Sequence, residues 1–250
     1  MSTFMIKIIA LAAMVIDHSG HVIQNVYSWD LGLPLRCIGR IAFPLYAFLI
    51  GQGCRHTKDI KKYLGRLLLF AFISEIPYDL FRSNIGKPAG LPIGFMDFSS
   101  QNVFFTLFLG GLAVALHIHS KMRYEKPIAI AVSFAGFVSS AMIAGILSTD
   151  YGILGVAMIY LPFVAADNMG SEKAYKFLYT AFLAICIGLI YYSSDRLLLL
   201  SAMASLIFVL LYNGTRGRGI KWFFYVIYPV HLLALFSIWF FFLRVGELII

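Results

Sequence analysis

The chain has 250 residues, of which 60% are hydrophobic, 16% aromatic and only 13% charged. That is too little polar surface to cover a water-soluble fold, so the composition predicts an all-α, polytopic transmembrane helical bundle, read as one integral membrane domain over residues 1–250. A formal charge of +8 would suggest nucleic acid in a soluble protein, but here the basic residues gather in short loops between apolar stretches, which reports membrane orientation rather than a nucleic-acid partner.

Spans of about 17–25 apolar residues divide the chain into nine candidates: 4–27, 36–54, 63–80, 102–118, 127–146, 149–166, 174–192, 195–212 and 220–245. The fifth and sixth also fit a hairpin that does not fully cross. Alternate loops carry Arg55, Lys58, Lys61, Lys62 and Arg66, then Lys121, Arg123 and Lys126, then Lys173 and Lys176, then Arg216, Arg218 and Lys221. With Lys7, that places 14 of the 20 Lys and Arg residues on one side. The positive-inside bias makes that side cytoplasmic, with the N-terminus inside and the C-terminus outside a cell membrane. The first apolar stretch ends in Asp17-His18 rather than a small-residue cleavage site, so it is expected to stay in the membrane. The one long external connection, Phe81 to Gln101, is rich in Gly and Pro and apolar enough to lie on the outer surface and cover something.

Within this apolar background several ionisable residues fall at membrane depth. Asp17, His18 and His21 interrupt the first span, Arg40 the second, Glu75 the third, and His231 the last. Such groups cost a few kcal/mol each on insertion scales and usually face a protein interior or a wet cavity. At about 1.5 Å per residue, His18 lies roughly 16 Å from Lys7 and His231 roughly 15 Å from Lys221, so both reach the middle of a core about 30 Å thick. Glu75 comes to a similar level. Arg36 and Arg40, one turn apart, line the external half of a cavity. Pro229, two residues before His231, removes a backbone hydrogen bond and favours a kink. Any one such residue is equally well an interhelical hydrogen bond. Together they supply a base, an orienting partner and an anion stabiliser.

Other signals carry less. Cys37, Cys54 and Cys186 have no metal-ligand spacing and read as small, reduced, packed residues. There is no Gly-x-Ser-x-Gly elbow, Walker loop or His-Glu-x-x-His pattern. His117 and His119, two apart, point to different helix faces and read as interfacial rather than metal-binding. Asn213-Gly214-Thr215 matches a glycosylation acceptor but falls on the side read as cytoplasmic.

Lys7-Ile8-Ile9-Ala10, Met14, Asp17-His18-Ser19-Gly20 and Arg36-Cys37-Ile38-Gly39-Arg40-Ile41-Ala42-Phe43-Pro44 resemble the opening signature of the TraX family. The likeness continues through Gly53-Cys54-Arg55-His56-Thr57, Tyr63-Leu64-Gly65-Arg66-Leu67, Ser74-Glu75-Ile76-Pro77 and Asn102 with Phe105-Thr106, and returns at Tyr228-Pro229-Val230-His231-Leu232. The family is named for the conjugation protein that acetylates the N-terminus of F pilin, and it resembles the wider group of multi-span acyltransferases that use acetyl-CoA. The resemblance implies a membrane acyltransferase, with Asp17-His18 and Arg40 matching the polar signature. It leaves open an amine or hydroxyl acceptor in or beyond the membrane, including a pilin-like N-terminus.

Acyl transfer from a thioester needs a base and an oxyanion stabiliser but no metal. The expected catalytic set is His18 as base or transient acyl carrier, Asp17 orienting it or holding the first helix against Arg40, with His231 and Glu75 in support. The anionic end of cytosolic acetyl-CoA is expected on Arg55, Lys58, Lys61 and Lys62, or on the glycine-rich loop with Arg216 and Arg218. Two other classes remain in view. A proton-coupled transporter or flippase would also use central charges and a proline-broken helix. A non-catalytic scaffold would leave the cost of Asp17, Arg40 and Glu75 at depth unexplained.

Overall fold

The structure is a computed structural model that describes residues 1–88, 91–217 and 221–244. Every element among the described residues is helical, apart from one isolated bridge between Gln101 and Thr149. In chain order the helices are α1 (Thr3–Val26), α2 (Trp29–Gly39), α3 (Ala42–His56), α4 (Ile60–Asn84), α5 (Val103–Arg123), α6 (Lys126–Ile146), α7 (Gly152–Asp167), α8 (Glu172–Tyr191), α9 (Arg196–Met203), α10 (Ser205–Leu210) and α11 (Lys221–Ile238), after which a π-helical turn runs over Trp239–Arg244.

Local chemistry sets many of the starts. Ser2, Ser28, Asp59, Asn102, Ser171 and Asp195 each accept a first-turn backbone N–H through the side chain, capping α1, α2, α4, α5, α8 and α9. A short polar side chain there satisfies a donor that the helix itself leaves unpaired.

Among the described residues, six helical segments are long and apolar enough to cross a membrane: α1, α2 with α3, α5, α6, α8 and Trp222–Phe241. Their outward faces carry Ile130, Phe134, Phe177, Ile185 and Leu189 in exposed positions, a surface suited to lipid and costly in water. The protein is therefore a helical membrane protein. The expected count of nine is not reached on these criteria. Gly152–Asp167 and Arg196–Leu210 are apolar but shorter, and α4, although 25 residues long, carries Lys61, Lys62, Arg66, Glu75, Asp79 and Arg82.

Three boundaries differ from the sequence reading. The second span begins at Trp29, seven residues early, and turns at Arg40 and Ile41 between α2 and α3. The eighth is broken between α9 and α10. The last helix gives way to the π-helical turn at Trp239. Hydropathy marks apolar length, but a turn whose backbone groups are satisfied inside the bundle leaves no trace in it.

The core is shared by most of the helices, with Ile6, Leu45, Phe48, Val114, Ile159, Phe163, Tyr179, Leu183 and Leu232 among its most buried members. α1 lies close against α2, the closest approach falling at Gly39, where a Cβ would overlap Asp17. Small residues at such a crossing let two backbones approach in a membrane. Here the approach presses Asp17 of α1 onto the arginine-bearing end of α2. The start of α1 is tied to the stretch before α11, Thr3 N–H donating to the Thr215 carbonyl at 2.8 Å.

Candidate functional site

A cavity of about 800 Å³ runs through the bundle. Lys62 and Arg82 both line it; they stand twenty residues apart on the continuous helix α4, which is about 30 Å at ~1.5 Å per residue. That equals the thickness of a bilayer's hydrocarbon core, about 30 Å. One end is basic, lined by Lys7, His56, Lys58, Lys62, Arg66 and Arg216. The middle is lined by Tyr46, Leu49, Ile50, Leu67, Phe104 and Leu107, and beyond it lie His18, Asp17, Arg36 and Arg40. The far end holds His21, Tyr78, Arg82, Asp150 and Tyr151.

His18, from the middle of α1, meets His231, from the middle of α11, with Nδ1 of the first 2.7 Å from Nε2 of the second. The geometry fixes which nitrogen holds each proton when both rings are neutral. His231 Nδ1 lies 2.9 Å from the Ile227 carbonyl. A carbonyl only accepts, so His231 Nδ1 carries hydrogen and its Nε2 is the acceptor. His18 Nδ1 must therefore donate to it, which leaves His18 Nε2 as the unprotonated, basic nitrogen. His18 lines the cavity whereas His231 is buried at 6% exposure behind it. Phe81 and Tyr228 flank His18 edge-on, with ring centroids 5.3 and 6.3 Å away.

Asp17 has a different task from its neighbour. Adjacent helix residues point about 100° apart, and Asp17 turns to α2, where it accepts from Arg36 Nη1 at 2.6 Å and from Nε of Arg40 at 3.1 Å, with Nη2 of Arg40 on the same oxygen. Of the two roles expected for Asp17, the geometry matches the helix-holding one; the partner of His18 is His231. A carboxylate cannot occupy every donor of two guanidiniums, each of which offers five N–H groups, so donors remain on Arg36 and Arg40 beside the cavity.

Glu75 stands apart from this group. It accepts from the backbone N–H of Asn102 at 3.3 Å and from the Asn102 side-chain amide, fastening α4 to the start of α5, and it does not line the cavity. Equal depth in a membrane leaves the direction around the helix axis free, and that direction separates Glu75 from His18. The expected basic set divides likewise. Lys58, Lys62 and Arg216 line the cavity. Lys61 is exposed outside it, Arg55 lies over the Tyr175 ring of α8 at 4.3 Å, and Arg218 falls outside the described residues.

Several cavity residues went unnoticed in the sequence. Arg66 and Lys7 had been read as markers of orientation and as parts of the family motifs but not as site residues, and Arg82, Asp150 and Tyr151 not at all. Asp150 and Tyr151 sit between α6 and α7, where no periodicity applies. The signal is conformational: Ser148 and Tyr151 adopt left-handed φ values of 50° and 64°, uncommon outside glycine and concentrated at functional sites. The segment is pinned by Asp150 N–H donating to the Gln101 carbonyl at 2.8 Å and by the Thr106 hydroxyl donating to the Asp150 carbonyl. Tyr151 stacks flat on Phe43, centroids 3.6 Å apart.

His117, expected at the interface, is instead buried at 7% exposure. Its Nδ1 lies 2.7 Å from the Ser133 hydroxyl and its Nε2 3.3 Å from Asp167, with Lys121 also on Asp167. Ser133 in turn meets the Tyr160 hydroxyl at 2.6 Å. None of these four residues around His117 lines the cavity, and the network joins α5, α6 and α7.

Fold and site together define a helical membrane protein with a paired-histidine site opening on a cavity of bilayer length. The chain belongs to the TraX family: the model described as "TraX protein" matches residues 2–239. It is also similar to the "Probable fimbrial assembly protein FimC, serogroup H1" of Dichelobacter nodosus, 30% identical over 251 residues that cover 94% of this chain and 95% of the relative. No solved structure matches it.

Proposed function

We propose that this TraX-family protein is a membrane-embedded acetyltransferase that takes an acetyl group from acetyl-CoA at the basic end of the cavity and passes it to an amine or hydroxyl reaching His18 from the far end. The observation that carries the reading is the single cavity joining a cluster of Lys and Arg to a histidine whose basic nitrogen is fixed by a second histidine.

The donor fits the lining. Its phosphates meet Lys58, Lys62 and Arg216, whose positive charge favours anionic groups. The slender arm bearing the thioester follows the apolar middle past Leu49, Ile50 and Leu107. At the thioester, His18 Nε2 takes the proton of the acceptor as its nitrogen or oxygen bonds to the acetyl carbonyl carbon. The carbonyl oxygen gains negative charge, for which remaining N–H groups of Arg36 and Arg40 are the donors at hand. Collapse breaks the carbon–sulfur bond, and the leaving thiolate takes the proton back from His18 Nε2. The products are acetylated acceptor and free CoA thiol, with His18 restored. His231 holds the His18 ring and stabilises its charged form through the shared hydrogen bond.

The basic end faces the cytoplasm in this reading, because the positive-inside bias puts Lys- and Arg-rich ends there and acetyl-CoA is cytosolic. The acceptor lies in or beyond the membrane, and the similarity to a fimbrial assembly protein supports a pilin-like N-terminus. A proton-coupled carrier would share the cavity but would work without acetyl-CoA. The test is transfer of radiolabel from acetyl-CoA by the purified protein, including slow hydrolysis to acetate. Absence of both, together with solute uptake into proteoliposomes that needs no acetyl-CoA, sinks the proposal in favour of the carrier.

A further inference from the structure

The connection between α4 and α5 turns back and descends beside the helix it came from. The Gly94 N–H donates to the side-chain carbonyl of Asn84, and the Gly94 carbonyl accepts from the Asn84 amide, both at 2.8 Å. The Asp97 N–H donates to Asp79 at 3.0 Å and the Asn102 N–H to Glu75 at 3.3 Å. Asn84, Asp79 and Glu75 stand in falling order on one continuous helix, so the return runs back along about 13 Å of α4 at ~1.5 Å per residue. Arg82 stands one core thickness from Lys62, and Asp79 lies about 5 Å inside Arg82 by the same rise. Residues 94–98 therefore cross the level at which lipid headgroups give way to acyl chains.

The side chains of this return divide by direction. Ile93 packs against the core, whereas Phe95, Met96 and Phe98 are 65%, 66% and 84% exposed. The backbone holds them outward, because it is fixed at Gly94 and Asp97 by the buried side chains of Asn84 and Asp79. Three large apolar groups kept in that position are costly in water. Deeper in, the return is enclosed by protein. Asn102 is fully buried, and Gln101 donates its N–H to the Ser148 carbonyl while its own carbonyl accepts from the Asp150 N–H. Irregular backbone at membrane depth is tolerated where protein satisfies it in this way. Tyr27 and Trp29 are exposed at the same end, close to where Asn25 comes against Gly86, and such aromatic residues favour the membrane–water interface.

We propose that residues 94–98 form an interfacial segment whose partner is the lipid bilayer: Phe95, Met96 and Phe98 seat among the glycerol groups and first acyl methylenes of the leaflet at the far end of the cavity. Apolar side chains sunk about 5–10 Å into that boundary are how non-spanning segments bind a membrane. The seat bears on the cavity wall. The same return carries Gln101, which pins Asp150, and Asn102, which caps α5 where Val103 and Phe104 line the cavity. Lipid contact at the tip thus steadies the far end whatever chemistry the cavity performs.

The experiment places a reporter at the tip, in the whole chain reconstituted into lipid nanodiscs. Phe98→Trp adds one tryptophan, whose emission is read by difference from the native protein with its three. In phosphatidylcholine the added emission is expected to lie to the blue of tryptophan in water. It should be largely lost when the lipid is brominated near the top of its acyl chains, and less so with bromine near the chain ends, while aqueous iodide removes little. Phe95→Trp gives the same reading from a second side chain should the first variant fail to fold. Strong quenching by iodide without quenching by bromine puts the segment in water and overturns the proposal. Insensitivity to both means that protein, a second copy included, covers these side chains, and overturns it equally.

Discussion

His18 and His231 stand 213 positions apart in the chain and 2.7 Å apart through Nδ1 and Nε2, and the Ile227 carbonyl at the far side of His231 decides the direction of the hydrogen bond between them. The consequence is asymmetry. One ring presents a basic nitrogen at the cavity and the other is committed on both sides.

Replacing His18 with Ala removes the proton acceptor, and turnover should fall by about 10²- to 10⁴-fold with donor binding retained. His231→Ala should lower the rate less and shift the alkaline and acidic limbs of the pH–rate profile, because His18 then loses the partner that fixes its tautomer. A folded His18→Ala protein working at the native rate would remove His18 from the mechanism.

Neutralising Asp17 is a test of stability rather than chemistry. Asp17→Asn leaves Arg36 and Arg40 without their shared counter-ion, and removal of one partner from a buried ion pair costs about 3–5 kcal/mol. Thermal unfolding in detergent should show the loss directly. Gly39→Ala should destabilise as well, since the added methyl meets Asp17 itself.

Acetyl-CoA affinity separates the basic residues that line the cavity from those that do not. Neutralising Lys58, Lys62 and Arg216 together should weaken binding measured by calorimetry, each charge-assisted contact contributing about 1.5–3 kcal/mol. Arg55→Gln and Lys61→Gln should leave it unchanged, because Arg55 lies on Tyr175 and Lys61 is outside the cavity. Equal loss from both sets would mean that long-range charge, not the cavity, holds the donor.

The connection between α4 and α5 should respond to acid. The Ser99 side chain and backbone N–H, then the Ser83 hydroxyl, hold the Asp97 carboxyl down to about 2; the Ser99 N–H and the Ser83 hydroxyl lie 3.0 and 2.9 Å away. A depressed carboxyl favours the folded loop in full above its ordinary value of about 3.9, and that contribution is lost as pH falls towards 2. Hydrogen exchange over 91–101 should quicken below about pH 4, and Asp97→Asn should show the quicker exchange at neutral pH without the acid dependence.

Much of the site was legible in the sequence because a bilayer makes ionisable residues conspicuous. Asp17, His18, Arg40 and His231 stood out by cost alone, and counting 1.5 Å per residue put the two histidines at one depth. Depth says nothing of azimuth, which is why Glu75, at a similar level, belongs to the Asn102 contact instead. Arg55 and Lys62 looked alike for the same reason, since both are basic residues at one end of the bundle.

The sequence by itself determined that the chain is a helical membrane protein, that its basic loops alternate with others poor in charge, and that it carries the TraX signature; each follows from composition or from short ordered motifs, which are local. Only the tertiary structure decided that His231 and not Asp17 partners His18, that Arg36 and Arg40 share one carboxylate, and that Asp150 lines the same cavity. Those outcomes depend on which helix faces meet, and the meeting is set by close approaches such as Gly39 on Asp17 and by a left-handed turn at Tyr151, where packing between distant segments overrides anything a residue's immediate neighbours specify.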